Sequence, residues 1–176
     1  MVRPNGGQLT ALEGLRESVL VMMASFPFVD EAGLALLRSV PLGVLRKNAT
    51  QRHGVTRWMR SSTGGLTVQT VDLHPKLLTT DWENYASFVL YHEFLHVLGW
   101  RAHDARFRAL EALWPDGAAR TLGPSFTHAM RARRAAWMWT CPSCDFRFPR
   151  QRRGRGKFLC RRCRTVLLDV PVKDAQ

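Results

Sequence analysis

The residues with the clearest capacity for chemistry are His92-Glu93-Phe94-Leu95-His96. Histidines at i and i+4 share one helix face, roughly 5–6 Å apart at Cβ, so both imidazoles can reach a single metal ion. Around them Phe88, Val89, Leu90, Phe94, Leu95, Val97 and Leu98 make the segment apolar on nearly every side, the pattern of a buried helix. Two imidazoles and a carboxylate buried there need a compensating partner, and a zinc ion supplies one. Zinc acidifies a coordinated water and polarises a peptide carbonyl. Glu93 is placed to accept that water's proton and hand it to the leaving amine. With six His and six Glu in 176 residues, chance produces H-E-x-x-H only about 0.007 times per chain.

A hydrolytic zinc needs a third protein ligand and an open fourth position. On an unbroken helix His103 would lie about 10 Å beyond His96 along the axis, too far to share the metal. Gly99 lets the chain turn and Asp104 starts a new helix, so His103 falls where the chain can fold back. It is the preferred third ligand, with His74, His128 and His53 as rivals. His53, within Arg52-His53-Gly54, reads as part of a chain reversal. Tyr85, Tyr91 and Arg52 are the candidates for holding the oxyanion.

A second constellation lies downstream. Cys141-Pro142-Ser143-Cys144 and Cys160-Arg161-Arg162-Cys163 hold the only cysteines, spaced C-x2-C-x15-C-x2-C. That spacing suits a closed, tetrahedral structural zinc better than a redox dithiol, which would want one pair within a βαβ unit. The charge follows the same division. Residues 1–128 carry 13 basic and 11 acidic side chains, whereas residues 129–164 carry 12 basic side chains against Asp145 alone. Candidate phosphate contacts are Arg147, Arg150, Arg152, Arg153, Arg155, Lys157, Arg161 and Arg162. Trp137, Trp139, Phe146 and Phe148 are candidates for stacking on unpaired bases, the two Phe reading first as core. A basic segment with a metal staple and aromatics points to nucleic acid, with no base-level specificity.

The elements that position these groups follow from the surrounding pattern. Thr10-Ala11-Leu12-Glu13 is a capping box before apolar residues at helical spacing through Phe26, and Pro27 ends that helix. Asp30 caps a second helix, Glu31 to Val40. Val55–Arg60 and Leu66–Leu73 read as a hairpin. Thr80-Asp81-Trp82-Glu83 is a second capping box, opening the long helix from Trp82 to Leu98 that carries His92 and His96; Gly99 stops it. Asp104 caps a helix to Trp114, 115–124 reads as a loop, and a basic helix runs from Ser125 to Ala136. Alternating Phe and basic residues between 146 and 159 suggest two ribbon strands with 151–156 as the hairpin tip.

Taken together, HEFLHVLG followed by HDARFRAL resembles the SprT-like (Spartan) zinc metalloproteases, in which a third His and a nearby Phe follow the H-E-x-x-H helix. The stretch Asn48–Gly54, the Leu66–Leu73 strand and the basic unit opening at W-x-C-P-x-C fit the same order of parts. The resemblance covers roughly residues 45–170; the first forty residues match nothing nameable. Its gap from His96 to His103 is short beside members with a longer loop. It comes within one residue of the metzincin pattern H-E-x-x-H-x-x-G-x-x-H, but no Met-turn is evident.

The resemblance implies His92, His96 and His103 as zinc ligands, Glu93 as base and Phe107 as a packing residue. It also implies an α+β fold: a helix-rich zincin-type protease domain with a small β-hairpin or sheet over 1–134, then a basic four-cysteine zinc ribbon over 135–176. Residues 1–8 are expected to be disordered. The implied cofactors are two Zn2+, one catalytic and one structural. The implied substrates are proteins bound or crosslinked to DNA, single-stranded or structured. The alternatives are a non-enzymatic nucleic-acid-binding zinc protein and a general intracellular peptidase that DNA does not direct. No apolar run approaches the ~18 residues of a membrane span, and no apolar stretch follows the basic start as in a secretory signal. A cytoplasmic or nucleoid/nuclear, non-secreted protein is expected.

Overall fold

The computed structural model describes residues 2–62 and 64–172. Helices and strands are both present, in an α+β arrangement. The chain divides into two compact units, Met1–Gly123 and Pro124–Gln176. The division precedes the change of composition near 130–136, so nearly all of the last helix belongs with the second unit.

The first unit opens with α1 (Gly6–Met23) and α2 (Glu31–Ser39). Residues 2–8 are part of the fold and not a disordered tail: Val2 bridges Val44, and α1 starts four residues before Thr10. Asn5 and Gln8 make the reciprocal bonds of a capping box one turn earlier than expected (Gln8 N–H to Asn5 Oδ1 2.9 Å, Asn5 N–H to Gln8 Oε1 3.0 Å). Thr10 instead donates its hydroxyl to the Gly6 carbonyl. Asp30 caps α2 as expected, accepting from the Gly33 N–H at 2.7 Å. The buried Arg16 guanidinium ties the helices together by donating to the carbonyls of Arg38 and Val40 at the end of α2. A cation suits that helix end, where the peptide dipoles leave negative charge.

A three-stranded sheet follows in the order β1-β3-β2. β2 (Gly54–Arg60) and β3 (Leu66–Leu73) form the expected hairpin, irregular between Arg57 and Trp58. The short β1 (Leu42–Val44), not foreseen, runs parallel to β3 on its other edge. Among the described residues, β2 therefore keeps one edge to which no strand is paired.

α3 (Glu83–Val97) packs between this sheet and α1, with Leu90, Tyr91, Phe94 and Leu95 completely buried. The Thr80–Glu83 capping box does not form. Thr80–Trp82 is a 3-10 turn, Trp82 is the N-cap without a side-chain bond, and Asp81 pairs with Lys76 at 3.1 Å instead. Gly99 takes φ +105°, a conformation in which a Cβ is disfavoured, and ends α3 as expected. α4 (Ala105–Glu111), capped by Asp104, stops short of Trp114. The 115–124 stretch holds a helix and not only a loop: Asp116 caps α5 (Gly117–Thr121).

In the second unit α6 (Gly123–Ala132) ends before the expected Ala136. β4 (Trp137–Thr140) is the central strand of an antiparallel sheet, flanked by β5 (Arg147–Arg150) and β6 (Leu168–Pro171). The expected hairpin across 151–156 is absent. β5 pairs with β4, and Leu159 makes only an isolated bridge to Val166. Trp139, Cys141, Cys160 and Leu167 form the small core.

Candidate metal centres

The turn at Gly99 and the Asp104 cap bring His103 back over α3. The metal-ligating nitrogens of His92, His96 and His103 lie within 4.8 Å of one another, and the Nε2 atoms of His92 and His103 are 3.1 Å apart. Tetrahedral ligands at a Zn–N distance of about 2.05 Å stand about 3.3 Å apart, so this spacing fits. The rivals are elsewhere. His74 uses Nδ1 to accept the Lys76 N–H at 3.1 Å. His53 Nδ1 is 2.6 Å from the Tyr85 hydroxyl, and His128 lies on α6, in the second unit.

Two of the three other ring nitrogens are tethered. His92 Nδ1 is 2.7 Å from Glu111 Oε1, and His96 Nδ1 is 2.7 Å from the Trp100 carbonyl oxygen. Both geometries place the N–H on Nδ1 and turn the Nε2 lone pair toward the cluster, the tautomer a metal requires. Burial lowers the pKa of both rings, which favours the neutral form that can ligate. Burial alone would raise the Glu111 carboxyl, but hydrogen bonds from His92 and Arg108 outweigh it and hold it below the ordinary carboxylate value. Phe107 forms the floor: completely buried, its ring centroid lies 4.7–5.0 Å from those of all three histidines.

Glu93 is buried beside the cluster, and burial pushes its carboxyl up to about 7, against the Thr56 hydroxyl bond that favours the charged form. Thr56 donates to Glu93 Oε2 at 2.8 Å, which fixes the carboxylate against β2. Gly54 makes the approach possible: a Cβ there would stand 2.7 Å from Glu93 Oε1. The four groups open into a cleft of about 350 Å³, walled by Gly54, Val55, Thr56 and Trp58 of β2 and by Arg101. The oxyanion candidates are not on its wall. Tyr91 is buried and bonds the Leu110 carbonyl, Tyr85 bonds His53, and Arg52 is exposed outside the cleft.

In the second unit the four cysteine sulfurs also lie within 4.8 Å of one another. Separations of 3.3, 3.6 and 3.8 Å compare with about 3.8 Å for tetrahedral thiolates at a Zn–S distance of about 2.3 Å. The two Cys pairs have matching backbones. Asp145 and Arg164, each just after a pair, take positive φ (53° and 64°) and donate their N–H to the carbonyls of Cys141 and Cys160. Thr165 pulls the Cys163 thiol down to about 6 by hydrogen bonding, and backbone N–H groups of Cys163 and Arg162 lower Cys160. These donors stabilise the thiolates of Cys160 and Cys163, the form in which sulfur binds metal, whereas at Cys144 the bond from the Phe146 backbone is outweighed by desolvation and the three neighbouring sulfurs, which push that thiol up to about 12.

The basic residues divide among three places. Arg152, Arg153, Arg155 and Lys157 line an open groove of about 500 Å³ with Trp137 and Phe158. Arg150 and Arg161 line a smaller one with Trp139. Arg147 and Arg162 line neither groove. Aromatic rings hold several guanidinium groups: Arg153 lies 4.1 Å from the Trp137 centroid, Arg150 5.0 Å from Trp139, and Arg162 3.9 Å from Phe146. Asp169 fixes the loop that carries them by accepting the N–H groups of Gly154 (2.7 Å) and Arg155 (2.8 Å).

Sequence reasoning missed Glu111, Thr56, the Gly54 approach, the Trp100 carbonyl, the Arg101–Trp58 wall and Asp169. Only Gly54 left a signal, a glycine at the mouth of a strand. No protein-family model, curated protein or solved structure matches the chain, so both centres rest on its own residues.

Proposed function

We propose that the chain is a zinc-dependent endopeptidase directed to DNA, acting on proteins bound or crosslinked to it, with a zincin-type catalytic domain and a C-terminal zinc ribbon. The observation that carries the reading is one cleft holding three converging imidazoles, two of them tethered through Nδ1, beside a buried carboxylate. A purely structural metal site has no use for that carboxylate, and a fourth protein ligand would be expected; among the described residues the group holds three. The resemblance to the SprT-like proteases supports the same assignment.

His92, His96 and His103 would hold the catalytic zinc, and Cys141, Cys144, Cys160 and Cys163 the structural one. Bound zinc would supply Lewis-acid polarisation of the peptide carbonyl and acidification of water. Glu93 accepts the attacking water's proton on its carboxylate and returns it to the leaving amine nitrogen. Thr56 keeps the carboxylate oriented through both transfers, and Glu111 and the Trp100 carbonyl keep the imidazoles from swinging away. The basic grooves of the second unit would track phosphates with a salt-sensitive affinity, so tethering selects whichever protein shares the strand. A location with access to DNA, cytoplasmic or nuclear, follows from this reading. Among the described residues no helix is long and apolar enough to cross a membrane.

The test is cleavage of a DNA-binding protein by the zinc-loaded chain, with and without single-stranded DNA, beside Glu93→Gln. Cleavage requiring both DNA and Glu93 supports the proposal. Glu93-dependent cleavage indifferent to DNA leaves a general peptidase. DNA binding through the second unit without any cleavage leaves a binding protein, the second reading, which the exposed basic grooves favour without help from the histidines.

A further inference from the structure

Arg101 differs from the other residues of the histidine cleft in carrying a charge that the protein does not answer. Among the described residues the ion pairs join other partners, and none of the hydrogen bonds there involves its guanidinium. Its guanidinium carbon lies 4.3 Å from the centroid of the Trp58 ring, and both side chains wall the cleft beside His103 and Glu93. A guanidinium held over an aromatic ring with no hydrogen-bond partner keeps its N–H groups available for a planar, bidentate acceptor. Glu93 is not that acceptor in this structure: among the described residues no ion pair joins the two, and Glu93 Oε2 instead accepts from Thr56.

The placement is built from both sides. Trp58 directly follows the register shift of β2, where an irregularity redirects side chains. Arg101 follows Trp100, whose N–H bonds the Leu95 carbonyl at 3.1 Å and whose ring meets Phe28 edge-on at 5.4 Å. The unpaired edge of β2 runs along the same wall and offers backbone groups to an extended peptide. A phosphodiester strand has no matching N–H and C=O ladder to offer that edge.

We propose that Arg101 is a specificity-determining residue that selects peptides with an Asp or Glu side chain beside the bond to be cut. This rests on the peptidase reading above and names its substrate class. The carboxylate pairs with the guanidinium N–H groups while the Trp58 ring supports the guanidinium. One charge-assisted contact in an open cleft corresponds to about a tenfold preference.

The experiment uses the full-length, zinc-loaded Glu93→Gln protein, which keeps the cleft but removes the base. Short fluorescent peptides differing only in Glu, Gln or Lys at one position, scanned along the peptide, are titrated by anisotropy. Their cleavage by the wild-type protein is measured in parallel. At one position Glu should bind about tenfold tighter than Gln, and Lys weaker still. Arg101→Gln should level the series, and Arg101→Glu should reverse it toward Lys, with zinc content and circular dichroism unchanged. Equal affinities, an acid preference that survives Arg101→Gln, or no binding by any peptide overturns the proposal. So does displacement of the acidic peptide by a short oligonucleotide that needs Arg101, which would make the cleft a nucleic-acid site. Failure of the peptidase reading is distinguishable: Arg101-dependent binding persists while Glu93-dependent cleavage is missing.

Discussion

Gly54→Ala adds one methyl group at the point where β2 meets the candidate base. Built on the existing backbone, that carbon would lie 2.7 Å from Glu93 Oε1, 2.8 Å from Glu93 Cγ and 2.9 Å from Val89 Cγ1. Comfortable contacts lie near 3.5–4.0 Å, so each gap is short by roughly half an ångström or more. Neither backbone yields easily: Gly54 pairs with Leu73 in the sheet, and α3 is buried along most of its length, Val89 and Glu93 included. The part that can rotate is the Glu93 side chain, at the expense of its Thr56 bond. Overpacking of this kind costs about 1–3 kcal/mol of stability. A displacement of about 1 Å at a reacting group costs roughly a hundredfold in rate.

The expected outcome is a kcat about a hundredfold below wild type with unchanged zinc content, because the three atoms nearest the added methyl belong to Glu93 and Val89. The assay is steady-state cleavage with parallel metal analysis and thermal denaturation. A double-mutant cycle sharpens it: Gly54→Ala should add little to Glu93→Gln, since both act through one carboxylate. Wild-type kcat in the Ala variant, or full additivity in the cycle, would refute the reasoning.

Other outcomes follow from the same contacts. Glu111→Gln removes the charged acceptor behind His92 and should weaken zinc at the histidine site by about 10–100-fold, read by competition with a chromophoric chelator. Cys160→Ser, or chelation of the four-cysteine centre, should unfold the second unit while sparing the first, because the small core around Trp139 includes two of the sulfurs; circular dichroism and limited proteolysis would show it. His53 should make the fold acid-sensitive. Burial, helped by His74, lowers its folded pKa to about 4 from 6.5, so between those values the unfolded chain binds more protons. Stability is therefore intact above about pH 6.5 and lost as pH falls toward 4. Tm measured across that range should slope less steeply in His53→Asn.

What the sequence determined by itself is what neighbours along the chain impose on one another. The i, i+4 histidines need only helical geometry to converge, and the two C-x-x-C pairs need only their own turns. Gly99 and Asp104 announce the end of one helix and the start of the next, and between them they account for the return of His103. The hairpin of β2 and β3 was legible from the alternation of Leu66–Leu73 and from the glycines that bracket Val55–Arg60. Local signals failed where two of them competed: Asn5 and Gln8 displaced the Thr10 box because they satisfy the same kind of orphan N–H groups a turn earlier.

The supports of the site were decided only by tertiary structure. Thr56 reaches Glu93 across 37 positions, and Glu111 reaches His92 across 19. Gly54 matters because α3 lies against that strand, and Arg101 because the loop after α3 settles over Trp58. None of these pairings has a periodicity to betray it. Each arises when separate apolar faces are buried together, which fixes distances between residues whose order in the chain places no constraint on them. The chain's local spacing supplied the candidate metal ligands, and core packing supplied the partners that orient them.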